Sequence, residues 1–169
     1  MFTMHGALYM TLKTDGELQE RMKAWATRSW VTFIVLYVAA TVATIFVSPF
    51  LFEGVLGNLF FWIFFVLLLV SILYIPVATN ARRYWAAMLA SSLTILSMIA
   101  LAAVSLFPVL VPSTLDPAYS LTAYNAASTP RTHTVMLIIA LIGMPIVIGY
   151  TIYIYRVFKG KVVITEDSY

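Results

Sequence analysis

The stretch LFFWIFFVLLLVSILYIPVAT, residues 59–79, contains 21 residues and no charged side chain. A helix needs about 20 mostly apolar residues to cross the hydrocarbon core of a bilayer, so this segment predicts a transmembrane helix. A core helix of a soluble domain is usually shorter and carries a polar face. We therefore interpret the chain as an integral membrane protein.

Three further segments have the same character: residues 30–52, 84–110 and 135–158. The whole chain agrees with them, because 62% of its residues are hydrophobic, 10% are charged, and the mean hydropathy is +0.95. Soluble domains carry about 25% charged residues. The sequence predicts an all-α integral membrane protein with four complete transmembrane helices in a bundle.

The pieces between these segments suggest how the chain is organised. Residues 1–13 are apolar but too short to cross a bilayer, so we interpret them as the remnant of a preceding transmembrane helix. Thr14 and Glu17 have the spacing of a capping box, which predicts that a short amphipathic surface helix begins there and covers residues 14–29. The domain 30–158 then forms the bundle, with an outer loop at 111–134, and residues 159–169 form a cytoplasmic tail.

Basic residues predict the orientation, because Lys and Arg favour the cytoplasmic side of a membrane protein. Nine of the ten fall in regions that an even number of spans places on one side: Lys13, Arg21, Lys23, Arg28, Arg82, Arg83, Arg156, Lys159 and Lys161. The tenth, Arg131, belongs to the long loop. We therefore expect the C-terminus in the cytoplasm and the loop outside. A basic surface of this kind does not indicate a nucleic-acid partner, because its cations are separated by apolar runs.

Few residues are candidates for chemistry. The chain has no cysteine, which excludes disulfides and thiolate ligands. Glu53 is either a solvated loop acid or part of a proton path, and we favour the loop acid. His5 is expected to pack or to hydrogen-bond inside the membrane rather than to bind haem. His133 is expected at the interface on the opposite side, so the two histidines cannot share a metal.

Other polar or soft side chains have equally plain interpretations. The eight methionines are expected to fill gaps in apolar packing rather than to bind haem. Tyr150, Tyr153 and Tyr155 suit an interfacial aromatic belt better than a quinone pocket. Gly143, Pro145 and Gly149 predict a kink or a close helix approach in the last span. The hydroxyl residues of the third span are expected to form hydrogen bonds between helices: Ser91, Ser92, Thr94 and Ser97.

The residues thus predict no catalytic residue, no cofactor-binding residue and no metal ligand set in this chain. One local prediction concerns Asp116, which precedes Pro117 in the outer loop and is expected to cap a turn there.

Three ordered groups of motifs carry a resemblance. The first is HGA at 5–7 with LKTDGEL at 12–18. The second is SLFP at 105–108, PSTLDP at 112–117, SLT at 120–122 and NAAS at 125–128. The third is MLIIALIGMP at 136–145 with YRVFKGKV at 155–162. In this order and spacing, they resemble the C-terminal half of subunit II of cytochrome bd quinol oxidases.

That resemblance implies a place in a respiratory terminal oxidase of the prokaryotic inner membrane. Such complexes oxidise a quinol and reduce dioxygen to water, with haem b and haem d held by subunit I. It implies that this chain supports subunit I, binds no haem itself, and lacks the N-terminal half of subunit II. The alternatives left open are a subunit of a membrane transporter or channel, and a non-catalytic assembly subunit of the same complex.

Overall fold

The computed structural model describes residues 1–52 and 54–162. Glu53 and the tail residues 163–169 lie outside them. Five α-helices make up most of the described chain: α1 (Phe2–Lys13), α2 (Gly16–Val47), α3 (Leu59–Asn80), α4 (Tyr84–Leu106) and α5 (Pro130–Val157). The last four are long and apolar enough to cross a membrane, which confirms the four predicted transmembrane helices.

The described chain divides into two compact units. The first comprises Met1–Leu106 together with residues 161 and 162. The second comprises Phe107–Gly160 and contains α5.

The first unit is held together where α1 meets α2, α3 and α4. Its core cluster is rich in small side chains and contains Met4, Ala7, Leu8, Ala26, Ile75, Ala78, Ala87 and Ala90. Small residues let helix backbones approach closely, which is the main source of packing energy between helices in lipid. The outward faces remain apolar and exposed, as on Leu36 and Phe46 of α2. Such faces suit lipid or another membrane subunit.

The expected surface helix at 14–29 is not separate, because α2 runs without a break from Gly16 to Val47. Nothing between Arg28 and Trp30 can break it, since the chain there carries neither proline nor glycine. At 1.5 Å per residue, the 32 residues of α2 extend for about 48 Å, well beyond a hydrocarbon core of about 30 Å. The charged first turns therefore project out of the apolar layer as part of the same helix.

The expected capping box is also wrong. Thr14 ends α1, and its hydroxyl donates to the Met10 carbonyl at 2.8 Å, while Asp15 stands at the N-cap of α2 without a side-chain cap bond. The Gln19 side chain, from α2, caps the end of α1. Its amide donates to the carbonyls of Thr11 and Thr14, both at 2.9 Å. A side chain of α2 thus holds the turn between α1 and α2 by bonding to carbonyls at the end of α1.

The turn from α3 to α4 is a Schellman motif with an arginine in the unusual position. The Arg83 amide donates to the Ala78 carbonyl at 2.9 Å, and the Arg82 amide donates to the Thr79 carbonyl at 3.2 Å. This motif places its C′ residue in the left-handed region, where glycine is usual. Arg82 occupies that place with φ of 56°, at a cost of about 1 kcal/mol.

The second unit begins with a short hairpin. The expected third span to residue 110 ends at Leu106, because Pro108 disfavours helical geometry in Phe107. Strand β1 (Val109–Val111) then pairs antiparallel with β2 (Leu121–Thr122). The rest of the loop is closed by its own side chains, including Asn125, whose amide donates to the Ser120 carbonyl at 2.8 Å.

Helix α5 begins five residues before the expected start. Thr129 caps it by accepting from the Thr132 amide, and Pro130 occupies the first turn, where the missing amide costs nothing. The helix continues through Pro145 as one element. A Cβ added at Gly143 or Gly149 would meet no atom within 4 Å, so the expected close approach at these glycines is not seen among the described residues.

Asp116 caps a turn, as its position before Pro117 predicted. Its Oδ1 accepts from the Ala118 amide at 2.8 Å and begins the 3₁₀ turn Pro117–Tyr119. We expect Asp116→Ala to lower the local stability of this loop by about 1 kcal/mol, because the Ala118 amide loses its acceptor. Hydrogen exchange of residues 113–122, measured by mass spectrometry in detergent, should then be about fivefold faster. Asp116→Asn keeps an acceptor and serves as the control, and equal exchange in both variants would contradict the cap.

Candidate functional site: polar contacts between apolar helices

His5 lies in a hydrogen bond between α1 and α4. Its Nδ1 is 2.6 Å from the Ser91 hydroxyl oxygen, which is fully buried. The tautomer decides which of the two donates. This confirms the expectation of a hydrogen-bonded histidine in the apolar region. The Ser91 hydroxyl also donates to the Met88 carbonyl at 3.1 Å. The contact with His5 ties α1 to α4, because without it the His5 Nδ1 would be left unpaired at a cost of about 1–3 kcal/mol.

A second polar contact joins α3 and α4. The hydroxyl oxygens of Ser71 and Thr94 lie 3.0 Å apart, and both side chains are buried. Of the four hydroxyl residues expected to bond between helices, Ser91 and Thr94 do so. Ser92 is exposed and donates to the Met88 carbonyl of its own helix, so the expectation for it was wrong. The Ser97 hydroxyl is buried with no hydrogen-bond partner among the described residues.

A third contact joins α2 and α3 at a backbone defect. Pro76 has no amide hydrogen, so the Ile72 carbonyl four residues earlier loses its helical donor. The indole Nε1 of Trp30 donates to that carbonyl at 2.9 Å. The sequence did not predict this bond. A proline inside a span, with a tryptophan on a neighbouring helix, was the available signal.

An apolar cavity of about 340 Å³ lies among α2, α3 and α4, near the 3₁₀ turn Pro49–Phe52. Its walls are mainly aromatic and aliphatic, and its few polar groups are hydroxyls, including those of Tyr37, Thr41 and Ser105. No charged side chain is among the described residues that line it. The cavity is suited to an apolar group rather than to charge transfer. Sequence reasoning missed it, because periodicity does not reveal gaps between helices.

The other candidates do not assemble into a site. His133 is exposed in the first turn of α5, and Tyr150, Tyr153 and Tyr155 are exposed along the same helix. The two interpretations of Glu53 stay open, because that residue lies outside the described part of the chain. Within residues 1–52 and 54–162, no three His, Cys, Asp or Glu side chains come together as a metal site.

The methionines are found in ordinary packing positions. Met4 is fully buried in the core cluster of the first unit. Met98 lines the apolar cavity, while Met136 and Met144 are exposed on α5. These positions agree with gap-filling and lipid-facing roles.

The sequence of this chain matches a known protein family. The model of the family described as cytochrome bd terminal oxidase subunit II matches residues 1–158. The chain belongs to this family.

Two curated relatives agree with the family match. A probable cytochrome oxidase subunit 2 from Haemophilus influenzae is 26% identical over 186 aligned residues, covering 95% of this chain and 49% of the relative. A cytochrome bd ubiquinol oxidase subunit 2 from Bacillus subtilis is 28% identical over 159 residues, covering 94% of this chain and 46% of the relative. The chain spans about half the length of the curated relatives it matches.

The bond between Trp30 and Ile72 can be tested with a mutant cycle. We expect Trp30→Phe to destabilise the purified protein by about 1–2 kcal/mol, because the Ile72 carbonyl loses the indole donor that replaces its helical one. In a Pro76→Ala background the helix supplies its own amide to that carbonyl, so the same change should cost less than about 0.5 kcal/mol. Unfolding in detergent measures both differences.

Trp25→Phe, on an exposed part of the same helix, controls for the loss of an indole. An equal cost of Trp30→Phe in both backgrounds would show that the indole bond does not compensate for the proline.

Proposed function

We propose that this chain is subunit II of a cytochrome bd-type terminal oxidase, in a complex that oxidises quinol and reduces dioxygen to water. The observation that carries the proposal is the family match over residues 1–158. The four apolar helices support it, since they make the chain a multi-pass membrane protein. Because the relatives are about twice as long, the activity and the partners of the full subunit are part of the proposal.

Within that complex, we assign haem b and haem d to a partner, subunit I, and quinol to the complex as its substrate. The donor set of this chain supports the division. A haem iron takes its axial ligands from side chains such as His, Met, Cys or Tyr. In the first unit, the Nδ1 of His5 is already hydrogen-bonded to Ser91. The role proposed for this chain is to stabilise the haem-bearing subunit.

The surfaces of the long helices suit such a supporting role. Large apolar side chains are exposed along α2, including Val35, Leu36 and Phe46. Helix α5 carries no buried residue among those described. Lipid can cover such faces, and so can the helices of a membrane partner. We propose that lipid covers part of this surface, and that subunit I and a second half of subunit II cover the rest.

We also propose the orientation that the basic residues predict, with the C-terminus in the cytoplasm of a prokaryotic cell and the loop 111–134 outside. The grouping of charges near one end of the first unit supports it. Glu20, Arg82 and Lys23 form ion pairs there, with Arg82 and Glu20 at 3.9 Å and Lys23 and Glu20 at 4.0 Å. Lys161 pairs with Asp15 at the same end.

The last span and the apolar cavity give no support to the alternative of a transporter or channel. The glycines and proline of the last span lie in one continuous helix, and the described lining of the apolar cavity is uncharged. A transport path for ions normally passes intramembrane charges or unwound helix segments. The assembly role in the same complex is the more conservative form of our proposal.

The proposal predicts what is recovered with the chain. An affinity tag on the chain, in its native membranes, should recover a haem-bearing partner with the optical spectrum of haem b and haem d. The reason is that the chain belongs to the subunit II family, which implies a subunit I partner in the same membrane. Mock purification from an untagged strain is the control. Recovery of the native chain without any haem protein would contradict the proposal.

Deletion of the chain separates support of catalysis from assembly. If haem remains bound and quinol oxidation continues at the normal rate, the role is limited to assembly. Loss of haem d from the membranes, together with loss of activity, is the result expected for a supporting subunit.

The orientation can be tested with single cysteines, since the natural chain has none. Ser128→Cys lies in the loop before α5 and Lys159→Cys lies after it, and both positions are exposed. A membrane-impermeant thiol reagent should label Ser128→Cys in intact spheroplasts and should label Lys159→Cys only after lysis. The reverse order of labelling would invert the proposed topology.

A further inference from the structure

A pocket of about 480 Å³ lies at the charged end of the first unit, apart from the polar contacts described above. It is formed by the end of α1, the turn into α4, the first residues of α4, and Lys161. Leu12, Trp85 and Ala86 give it apolar walls, and three cations lie around it: Arg82, Arg83 and Lys161. A pocket with both characters suits an amphiphile with an anionic head.

The carboxylates nearby do not neutralise this pocket completely. Glu20 lies 3.9 Å from Arg82, and Asp15 pairs with Lys161. Neither carboxylate lies within ion-pair distance of Arg83. Within the described residues, one net positive charge therefore remains at the pocket, and Arg83 carries it.

The start of α4 adds backbone donors to the same pocket. The Arg83 carbonyl accepts the first helical bond from the Ala87 amide, and the Arg83 amide itself is used by the Schellman motif. The amides of residues 84–86 consequently have no acceptor within the helix. Tyr84, Trp85 and Ala86 all line the pocket. Free amides and the positive end of a 23-residue helix both favour an anion.

The pocket lies at a boundary between charged and apolar sequence, which in a spanning helix falls near the phosphate layer of the bilayer. It lies where the charged turn Arg82–Arg83 gives way to the apolar run of α4. Trp85 is 73% exposed at this boundary, and exposed tryptophans are typical of the membrane interface. Basic pockets between helices on this side of a membrane are suited to anionic lipid head groups.

We propose that this pocket binds the phosphate head group of an anionic phospholipid. Arg83 and the amides of residues 84–86 would face the phosphate, while Leu12 and Trp85 border the glycerol and the first part of the acyl chains. A free phosphate ion would use the cations and amides but not the apolar walls, which is why we favour a lipid. The proposal depends on membrane insertion and not on the oxidase function.

The test measures phosphatidylglycerol binding to the chain, purified in detergent from its native membranes with any subunits that accompany it and then depleted of lipid. Native mass spectrometry gives the dissociation constant. Arg83→Gln should weaken binding about fivefold, the effect of one cation near an anionic lipid. Arg83→Lys keeps the charge and should bind within about twofold of the natural protein. Arg28→Gln removes a charge from α2 outside the pocket and should leave binding unchanged. Thermal unfolding of each variant verifies that it is folded.

Two further ligands identify the source of the anion. Phosphatidylcholine with the same acyl chains should bind the natural protein and Arg83→Gln equally weakly. Inorganic phosphate at millimolar concentration should not displace phosphatidylglycerol. The proposal is overturned if Arg28→Gln weakens binding as much as Arg83→Gln, if phosphatidylcholine binds as tightly as phosphatidylglycerol, or if inorganic phosphate displaces the lipid.

Discussion

Helices as apolar as lipid gain little free energy from burying their faces against one another, and this constraint governs the first unit. What holds α1–α4 together is close contact at alanines and a few hydrogen bonds between helices. The bond from Trp30 to the Ile72 carbonyl shows the constraint most clearly, because Pro76 creates the unsatisfied group that the indole then satisfies. A backbone defect in one helix thereby becomes a specific attachment point for another.

The two ends of the first unit differ in packing for the same reason. Near α1, small residues and the pairs His5–Ser91 and Ser71–Thr94 bring the helices into close contact. Near the 3₁₀ turn Pro49–Phe52, α2, α3 and α4 leave an apolar cavity of about 340 Å³ between them. The first unit thus has one closely packed end and one end with apolar space.

The sequence was sufficient for features that depend on local chemistry. Four runs of apolar residues predicted the four spans, and the position of Asp116 before Pro117 predicted its cap. It was insufficient where two local signals compete. Thr14 has capping-box spacing, but its hydroxyl donates to the Met10 carbonyl at the end of α1 instead. Arg28 and Ser29 looked like a boundary, but no residue there prevents the helix from continuing.

The contacts between helices were harder to predict than the helices themselves. Two of the four hydroxyl residues of α4 bond between helices as expected, and which of them do so depends on rotation about the helix axis. Ser91 and Thr94 face neighbours, whereas Ser92 is exposed.

The unbroken α2 has a mechanical consequence. About 18 Å of this rod projects beyond the lipid, so a tilt of about 10° moves the projecting end sideways by about 3 Å. Because Gln19 bonds that end to α1, α1 follows the tilt.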